Sequence, residues 1–209
     1  MNPGPSHEST NQGTRNASSA VQTVFRAKRL AMFLFMLAGC AIAPTRAPAQ
    51  VSREYDLKAV LLFNLTQFVE WPSSAFAQPD APLVIGVLGR DPFGAVLDDI
   101  VRNEKYGDRP IVVQRFRNVQ SARDCHILFV SASEEPELPR IVRVLRGRPI
   151  LTVSDFKDFA QRGGMIRFMT NPQGKINLQI NLGAVKNADL IVSAKLLRVA
   201  EVVTSTTDD

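Results

Sequence analysis

The sequence EYDLKAVLLFNLTQFVEWP, from Glu54 to Pro72, has apolar residues at three- and four-residue spacing. That spacing is the period of one buried face of an α-helix, so the stretch predicts a core helix. Pro72 cannot continue a helix and biases the residue before it away from helical angles, so we expect the helix to end near Glu70. Ser52 is the predicted N-cap. The predicted buried face consists of Leu57, Val60, Leu61, Leu65, Phe68 and Val69.

Trp71 is the only tryptophan of the chain and lies at the predicted end of this helix, just before Pro72. A large apolar side chain at such a corner either packs into the domain or anchors a binding partner. We favour packing, and Trp71 is the candidate partner-binding residue under the other interpretation.

Upstream of this helix, the first 49 residues have the pattern of an export leader. A polar segment is followed by three basic residues between positions 26 and 29, an apolar run from Leu30 to Ala43, and small residues with proline. This order is typical of a secretory signal peptide, and the apolar run is shorter than the ~20 residues that a membrane-spanning helix needs. The true start codon stays open, because the polar extension is unusual. The sequence predicts a leader over residues 1–49 and an exported domain over residues 50–209.

Two cleavage sites compete within this leader. Ala47-Pro48-Ala49 fits the A-x-A pattern, and cleavage there releases a soluble protein that begins at Gln50. Leu37-Ala38-Gly39-Cys40 resembles the bacterial lipobox, in which the cysteine becomes the lipidated first residue, so Cys40 is the candidate lipidation site. Either cleavage predicts a periplasmic location.

The basic isoelectric point of the chain, about 9.6, comes largely from the leader. Of the 25 basic and 20 acidic residues, five basic and one acidic precede position 50, which leaves 20 and 19 in the exported part. A nearly neutral domain gives no electrostatic indication of nucleic-acid binding, so we expect no nucleic-acid partner.

Beyond Trp71, short apolar runs rich in β-branched residues alternate with amphipathic helical segments. Such runs are typical of strands that are buried on both faces of a parallel sheet. Two further β-type segments flank Asn171–Gly174 and predict an antiparallel hairpin. The predicted strands cover residues 83–88, 111–113 with an extension to 116 left open, 126–130, 150–153, 165–169 and 176–180.

Helical segments complete the predicted fold. Apolar residues at helical spacing predict helices near 93–100 and 138–145, and Ser193 is the predicted cap of a C-terminal helix that reaches Val203. Strands that alternate with helices build layered α/β domains. The predicted fold class is therefore α/β: a single three-layer domain with a mostly parallel sheet and a C-terminal antiparallel hairpin, flanked by helices.

The exported part has few of the residues that catalysis or metal binding requires. Its one histidine, His126, follows Cys125, but neighbouring residues on a strand point to opposite faces, so the two are not expected to form a catalytic pair. One histidine and one cysteine do not make a four-ligand zinc site. Cys125 begins an apolar run, so we expect it to be buried. We predict no enzymatic activity, no cofactor and no metal site.

The best candidate ligand site lies at the carboxyl ends of the predicted strands, where open α/β sheets bind their ligands. Charged and hydroxyl side chains follow three of these strands, and an arginine of the hairpin adds a further charge. The same residue types are preferred at turns and helix caps, so a purely structural role stays open. The predicted ligand-binding residues are Arg90, Asp91, Ser131, Ser154, Asp155 and Arg167.

From residue 54 onward, the chain resembles the YfiR-like family of exported bacterial proteins. The resemblance rests on a series of short segments that occur in order over nearly the whole exported part. These segments are Tyr55–Ala59, Glu70–Pro72, Ile85–Gly94, Cys125–Val130, Leu151–Asp155, Phe159, Gly163–Ile166, Asn181–Leu182 and Leu196–Ala200.

The resemblance implies a periplasmic negative regulator without enzymatic activity. It implies a partner as well, the periplasmic region of an inner-membrane diguanylate cyclase or sensor kinase, and with it lower cyclic-di-GMP output and control of biofilm formation. Contact with the membrane would be through that partner or through a lipid on Cys40. A homodimer stays open, because regulators of dimeric membrane proteins often match their symmetry. The alternative function is a periplasmic small-ligand carrier or sensor that uses the strand ends.

Overall fold

The computed structural model describes Met1 and residues 48–205. The predicted signal peptide, Cys40 and the first residue of the A-x-A motif lie outside the described residues. No helix within the described part of the chain combines the length and apolarity needed to cross a membrane.

The described part of the chain forms ten strands and five α-helices. The helices are α1 (Pro48–Asn64), α2 (Ala95–Val101), α3 (Leu138–Leu145), α4 (Leu182–Lys186) and α5 (Ala194–Leu197). The strands are β1 (Val69–Glu70), β2 (Leu83–Leu88), β3 (Lys105–Tyr106), β4 (Arg109–Phe116), β5 (Ile127–Val130), β6 (Leu151–Ser154), β7 (Ile166–Thr170), β8 (Ile176–Asn181), β9 (Ile191–Val192) and β10 (Ala200–Val203).

Eight of these strands form one sheet in the order β10-β8-β7-β6-β5-β2-β4-β3. The five central strands β4, β2, β5, β6 and β7 are parallel to one another. β7 and β8 form the antiparallel hairpin, with Phe168 opposite Leu178. β3 adds an antiparallel edge beside β4, and β10 is parallel to β8 at the other edge. The predicted α/β class, with a mostly parallel sheet and a C-terminal hairpin, is confirmed.

Two hydrophobic cores cover the two faces of the sheet. On one face, Leu62 of α1 and Leu97 of α2 pack over Ile85 and Phe129. The opposite face belongs to the core that contains Ile141 of α3. Helices on both faces make the arrangement three layers deep.

The first helix differs from its predicted bounds. It begins at Pro48, so Ser52 lies inside it rather than at its N-cap, and it ends at Asn64 rather than near Glu70. A 3₁₀ turn follows, and Val69 then pairs with Val192 in a two-stranded ribbon of β1 and β9. In place of the last predicted helical turn, the chain forms backbone hydrogen bonds to a strand that is distant in sequence. The local spacing of apolar residues gives no sign of this pairing.

The buried face of α1 is also rotated from the predicted one. Leu57 and Val60 are 45% and 40% exposed, whereas Lys58, Ala59 and Leu62 are buried. The reason is that Lys58 forms an ion pair with Asp155 beneath the helix, which puts a charged residue on the inward face.

The predicted C-terminal helix is wrong over most of its length. Ser193 caps a helix as expected, because its Oγ accepts a hydrogen bond from the Leu196 N–H at 3.4 Å. That helix, α5, ends at Leu197, and the chain then forms β10, in which Val202 lies opposite Ile180 of β8. The residues after α5 are rich in valine, and their pairing with β8 outweighs the helical spacing of the apolar residues.

Candidate functional site

The carboxyl ends of β2, β5 and β6 lie side by side at one edge of the sheet. Leu88 is opposite Val130, and Phe129 is opposite Val153, so the three strands end at nearly the same level. We predicted a ligand site from the polar residues that follow these strands, and the topology does bring the strand ends together. The alternation of side chains across the sheet then separates the individual residues.

Asp155 and Ser154 follow one another and lie on different faces. Asp155 contacts Lys58 of α1, on the same face as Val153. Ser154 is fully buried, and its hydroxyl donates a hydrogen bond to the Val130 carbonyl at 2.6 Å. The six predicted ligand-binding residues therefore do not form one cluster.

Arg167 lies opposite Ser154 in the register of β6 and β7. Its Nη1 donates to Gln179 Oε1 at 3.3 Å, and its Nε is buried without a hydrogen-bond partner. Arg167 thus lies on the sheet face away from Asp155, and its charge is directed toward a neutral amide.

The loop after β2 carries Arg90 and Asp91. Gly89 opens this loop with a φ of +87°, and a Cβ there would collide with the side chains of Ser133 and Glu134. Arg90 is exposed, and its backbone N–H donates to Ser133 Oγ at 3.0 Å. The loop is therefore held against the turn that follows β5.

Asp91 forms hydrogen bonds and an ion pair within the same loop and its surroundings. Its Oδ1 accepts a hydrogen bond from the Phe93 N–H at 2.8 Å, and its Oδ2 accepts one from Arg115 Nε at 3.0 Å. Arg115 also pairs with Asp98, and hydrogen bonding by Arg115 lowers the pKa of Asp98. Ser131 is buried after β5. These contacts give residues of the predicted site a structural role in holding the loops at the strand ends. Their ligand-binding role stays a prediction.

Lys58 is the polar residue of this edge that sequence reasoning missed. Its side chain is 3% exposed, and its Nζ lies 2.6 Å from both Glu54 Oε1 and Asp155 Oδ2. The Tyr55 ring centroid is 4.5 Å from the same nitrogen. Burial, followed by the negative charge of Asp155, raises the pKa of Tyr55 well above its usual range. The i,i+4 spacing of Glu54 and Lys58 is visible in the sequence, whereas Asp155 is 97 residues away.

This cluster fixes α1 to the carboxyl end of β6. The Lys58 side chain is buried and contacts two carboxylates, so it is not placed to act as a base or a nucleophile toward a substrate. Thr170 adds a hydrogen bond from its Oγ1 to Glu54 Oε1 at 2.7 Å, which connects the hairpin to the same group.

Trp71 lies at the opposite end of the sheet, near the first residues of the strands. It is 7% exposed, and its indole N–H donates to the His126 carbonyl at 3.1 Å. Its ring packs edge-on against Tyr106, with centroids 5.5 Å apart. This geometry agrees with the packing interpretation, and the partner-binding role of Trp71 stays a prediction.

His126 completes the same corner. Its ring stacks on Phe76 at 4.4 Å, and its Nδ1 accepts a hydrogen bond from the Val84 N–H at 3.0 Å. Arg109 covers the other side of the Phe76 ring, 4.0 Å from its centroid. Burial lowers the pKa of His126 to about 4, and the nearby charge of Arg109 acts in the same direction.

Cys125 and His126 diverge, as the strand alternation predicts. The Cys125 thiol is buried in the core beneath α3 and donates to the Ala122 carbonyl at 3.0 Å. Burial raises its pKa far above the ordinary value for a thiol, so it stays protonated. The predicted burial of Cys125 is confirmed. Among the described residues, no group of three or more His, Cys, Asp or Glu side chains is placed to hold a metal ion.

A search of curated proteins finds no match. Among solved structures, the ABC domain in complex with L-Trp from Streptococcus pneumonia aligns with 9% identity and a TM-score of 0.42, over 58% of this chain and 55% of that chain. The chain thus spans about half the length of that structure. The family model of YfiR/HmsC-like proteins matches residues 55–201, which is well over half of the sequence. The chain therefore belongs to the YfiR/HmsC-like family.

Proposed function

We propose that this protein is a non-enzymatic periplasmic regulator that binds the periplasmic sensor region of an inner-membrane diguanylate cyclase and holds it inactive. The observation that carries the proposal is the family match over residues 55–201, which extends from α1 into β10. At the level of the family, this membership supports a periplasmic regulator of the diguanylate cyclase pathway. The predicted export leader agrees with that location.

Inhibition of this kind requires a difference in affinity rather than chemistry. A regulator shifts the cyclase toward its inactive state only if it binds that state more tightly than the active one. To move the population from 1% to 99% inactive, the difference must be about 10⁴-fold, or roughly 5.5 kcal/mol. A rigid domain is suited to this task because little conformational entropy is lost when it binds.

The contacts at the strand ends support a binding role. The side chains of Asp91, Ser154 and Asp155 all form hydrogen bonds or ion pairs within the domain. Those contacts stiffen the loops around the sheet. We therefore infer that the regulator binds its partner through its surface. The family resemblance allows a sensor kinase as an alternative to the diguanylate cyclase.

Deletion of the gene in a strain that also encodes the cyclase tests the proposal. Cyclic-di-GMP, measured by mass spectrometry, and biofilm mass are both expected to rise. A plasmid copy should restore the original levels, and removal of the cyclase should abolish the rise. Unchanged cyclic-di-GMP in the deletion strain, with the cyclase shown to be present in the membrane, would contradict the proposal.

The mature N-terminus is part of the same proposal. Export with cleavage after Ala49 leaves a protein free of the membrane, whereas lipidation of Cys40 anchors it. Intact mass spectrometry of the periplasmic and membrane fractions distinguishes the two, and Cys40→Ala should release the protein only if Cys40 carries a lipid.

A further inference from the structure

A broad open groove lies beside α3, bounded on its other side by the end of β8 and by α4. Its volume is about 1330 Å³, which exceeds the ~300–1,000 Å³ of ordinary small-molecule pockets. Pro139, Val142 and Ala184 provide its accessible apolar surface, whereas Leu145 and Met165 also line it but are nearly buried. The described residues that line the groove include three arginines and neither aspartate nor glutamate. The groove therefore combines apolar surface with positive charge.

Two of the three arginines are not neutralised within the described part of the chain. Arg143 lies in the last turn of α3 and Arg146 directly follows the helix, and both are exposed without an ion pair to any described residue. The third, Arg162, pairs with Glu135 at 3.0 Å. On the same helix, Arg140 pairs with Glu137 at 3.4 Å. The two arginines that lack an ion pair among the described residues thus lie at the C-terminal end of α3, where it borders the groove.

Two polar side chains of the groove, Thr152 and Asn181, form hydrogen bonds within the domain. Thr152 Oγ1 accepts a hydrogen bond from the Met165 N–H at 3.1 Å, and the Asn181 amide donates to the Ala160 carbonyl at 2.8 Å. These groups hold the groove in shape, and Arg143 and Arg146 are its charged side chains without an ion pair to a described residue. An occupant must therefore bring its own negative charges.

The size and lining of the groove favour a peptide segment over the other anionic occupants. A small anion would leave most of the apolar surface exposed to water, at a cost that grows with the area left uncovered. A flat anionic membrane would reach the exposed arginines without filling the concave surface between α3 and α4. A segment with both carboxylates and apolar side chains fills the groove and pairs with its charges.

We propose that this groove binds an acidic, amphipathic segment of a protein partner. Apolar side chains of the segment lie on Pro139, Val142 and Ala184, and its carboxylates pair with Arg143 and Arg146. The inference deepens the proposed function and rests on it for the identity of the partner, because it names the surface that meets the sensor region. The charged pairs mainly set specificity and the association rate, while the apolar contacts supply affinity.

Fluorescence anisotropy with the purified exported chain tests the binding chemistry. The probes are a labelled peptide of alternating glutamate and leucine, and the corresponding peptide of lysine and leucine. We expect the acidic peptide to bind at least about tenfold more tightly than the basic one, and its binding to weaken between about 50 and 500 mM salt. The double variant Arg143→Glu/Arg146→Glu should lose this preference.

The matched control is Arg117→Glu/Arg123→Glu. It makes the same change in net charge at two exposed arginines outside the groove lining. The control should bind the acidic peptide like the unmodified chain, and both variants should keep its melting temperature. Equal binding of the two peptides, or equal losses in the two double variants, would overturn the proposal. Groove-dependent binding to anionic phosphatidylglycerol vesicles without peptide binding would overturn it in favour of a membrane surface.

A cellular experiment separates this inference from the proposed function. The Arg143→Glu/Arg146→Glu variant, at normal periplasmic abundance, should fail to lower cyclic-di-GMP, while the control variant should succeed. If the groove variant represses normally and deletion still raises cyclic-di-GMP, the groove assignment falls and the regulatory function stands. If deletion itself has no effect, the regulatory function falls, and the anisotropy experiment alone decides whether the groove binds acidic peptides.

Discussion

Lys58 lies on the inward face of α1, and its ammonium group is shared by Glu54 and Asp155. Moving a charge out of water is expensive, and the two carboxylates offset that cost through short contacts. The arrangement explains why a charged residue occupies a helical position that an apolar pattern would assign to the core. It also makes the three charges depend on one another, so removal of one leaves the others poorly compensated.

Lys58→Met tests this dependence. The variant retains most of the side-chain volume but leaves two neighbouring carboxylates, of which Asp155 is only 9% exposed. We expect the free energy of unfolding to fall by roughly 3–5 kcal/mol in urea titrations at neutral pH. Lys157→Met removes a lysine that is 83% exposed and should change stability by less than about 0.5 kcal/mol. Similar losses in both variants would show that the buried ion pair contributes no more than a surface charge.

His126 makes the stability of the domain depend on pH. Burial lowers its pKa to about 4 in the folded protein, from an ordinary value of 6.5 in the unfolded chain. Between these values the unfolded chain binds more protons, so stability falls as the pH is lowered from about 6.5 to about 4 and is unaffected by this group above 6.5. A shift of this size corresponds to roughly 3 kcal/mol at most.

His126→Asn measures that contribution. Asparagine retains an acceptor for the Val84 N–H but does not titrate. The loss of unfolding free energy between pH 7.5 and pH 4.5 should therefore be about 1–3 kcal/mol smaller in the variant than in the unmodified chain. Carboxylates titrate in both proteins and cancel in the comparison. An identical pH dependence would mean that His126 is not held neutral by its surroundings.

At the level of elements, the sequence predicts best where an element is determined by its own residues. β2, β5 and β6 were predicted within about one residue, because each is a short apolar run between polar turns. The hairpin of β7 and β8 was predicted for the same reason. The end of α1 and the whole of β10 were not, because Val69 pairs with Val192 and Val202 with Ile180. Both errors arise where a distant strand competes with local helical spacing.

Trp71 connects β1 to the loop that covers the start of the sheet. Trp71→Ala should lower the melting temperature and the periplasmic abundance, since loss of a buried aromatic ring costs roughly 3–5 kcal/mol. Trp71→Phe retains one aromatic ring but loses part of the buried indole and the hydrogen bond to the His126 carbonyl, so it should cost about 1–3 kcal/mol, less than Trp71→Ala. Normal melting and abundance in Trp71→Ala, combined with lost repression, would overturn the packing interpretation and place the partner at this corner.

At the level of the whole molecule, the candidate site was predictable only in part. Parallel strands end at one edge, so the sequence places Arg90, Ser131 and Asp155 near that edge. The sequence does not show on which face of the sheet each side chain lies, nor which residue it contacts. Lys58 and Asp155 illustrate the limit, because they are 97 residues apart and belong to elements predicted separately. Likewise, the arginine groove forms only when α3, β8 and α4 pack together.

The two functional classes predict different responses of the whole domain to small molecules. A carrier that uses the strand ends is stabilised by its ligand in proportion to affinity, by about 2.7 kcal/mol at a concentration 100 times the dissociation constant. Binding of a protein partner does not by itself produce such a response to small molecules. We expect no nucleotide, amino acid or inorganic anion to raise the melting temperature in a thermal-shift screen, because Asp91, Ser154 and Asp155 are already engaged within the domain.

Arg90 decides between the classes if a compound does stabilise the protein. Its side chain is exposed and takes part in no ion pair with another described residue, so Arg90→Ala should leave the fold intact. Loss of the thermal shift in Arg90→Ala, but not in Arg117→Ala, would establish the strand-end site and favour the carrier. A shift that persists in both variants would place the ligand elsewhere. If no compound shifts the melting temperature and deletion of the gene raises cyclic-di-GMP, the results favour a regulator that binds a protein partner through its surface. A small molecule that does not bind the folded protein cannot bias its conformational equilibrium.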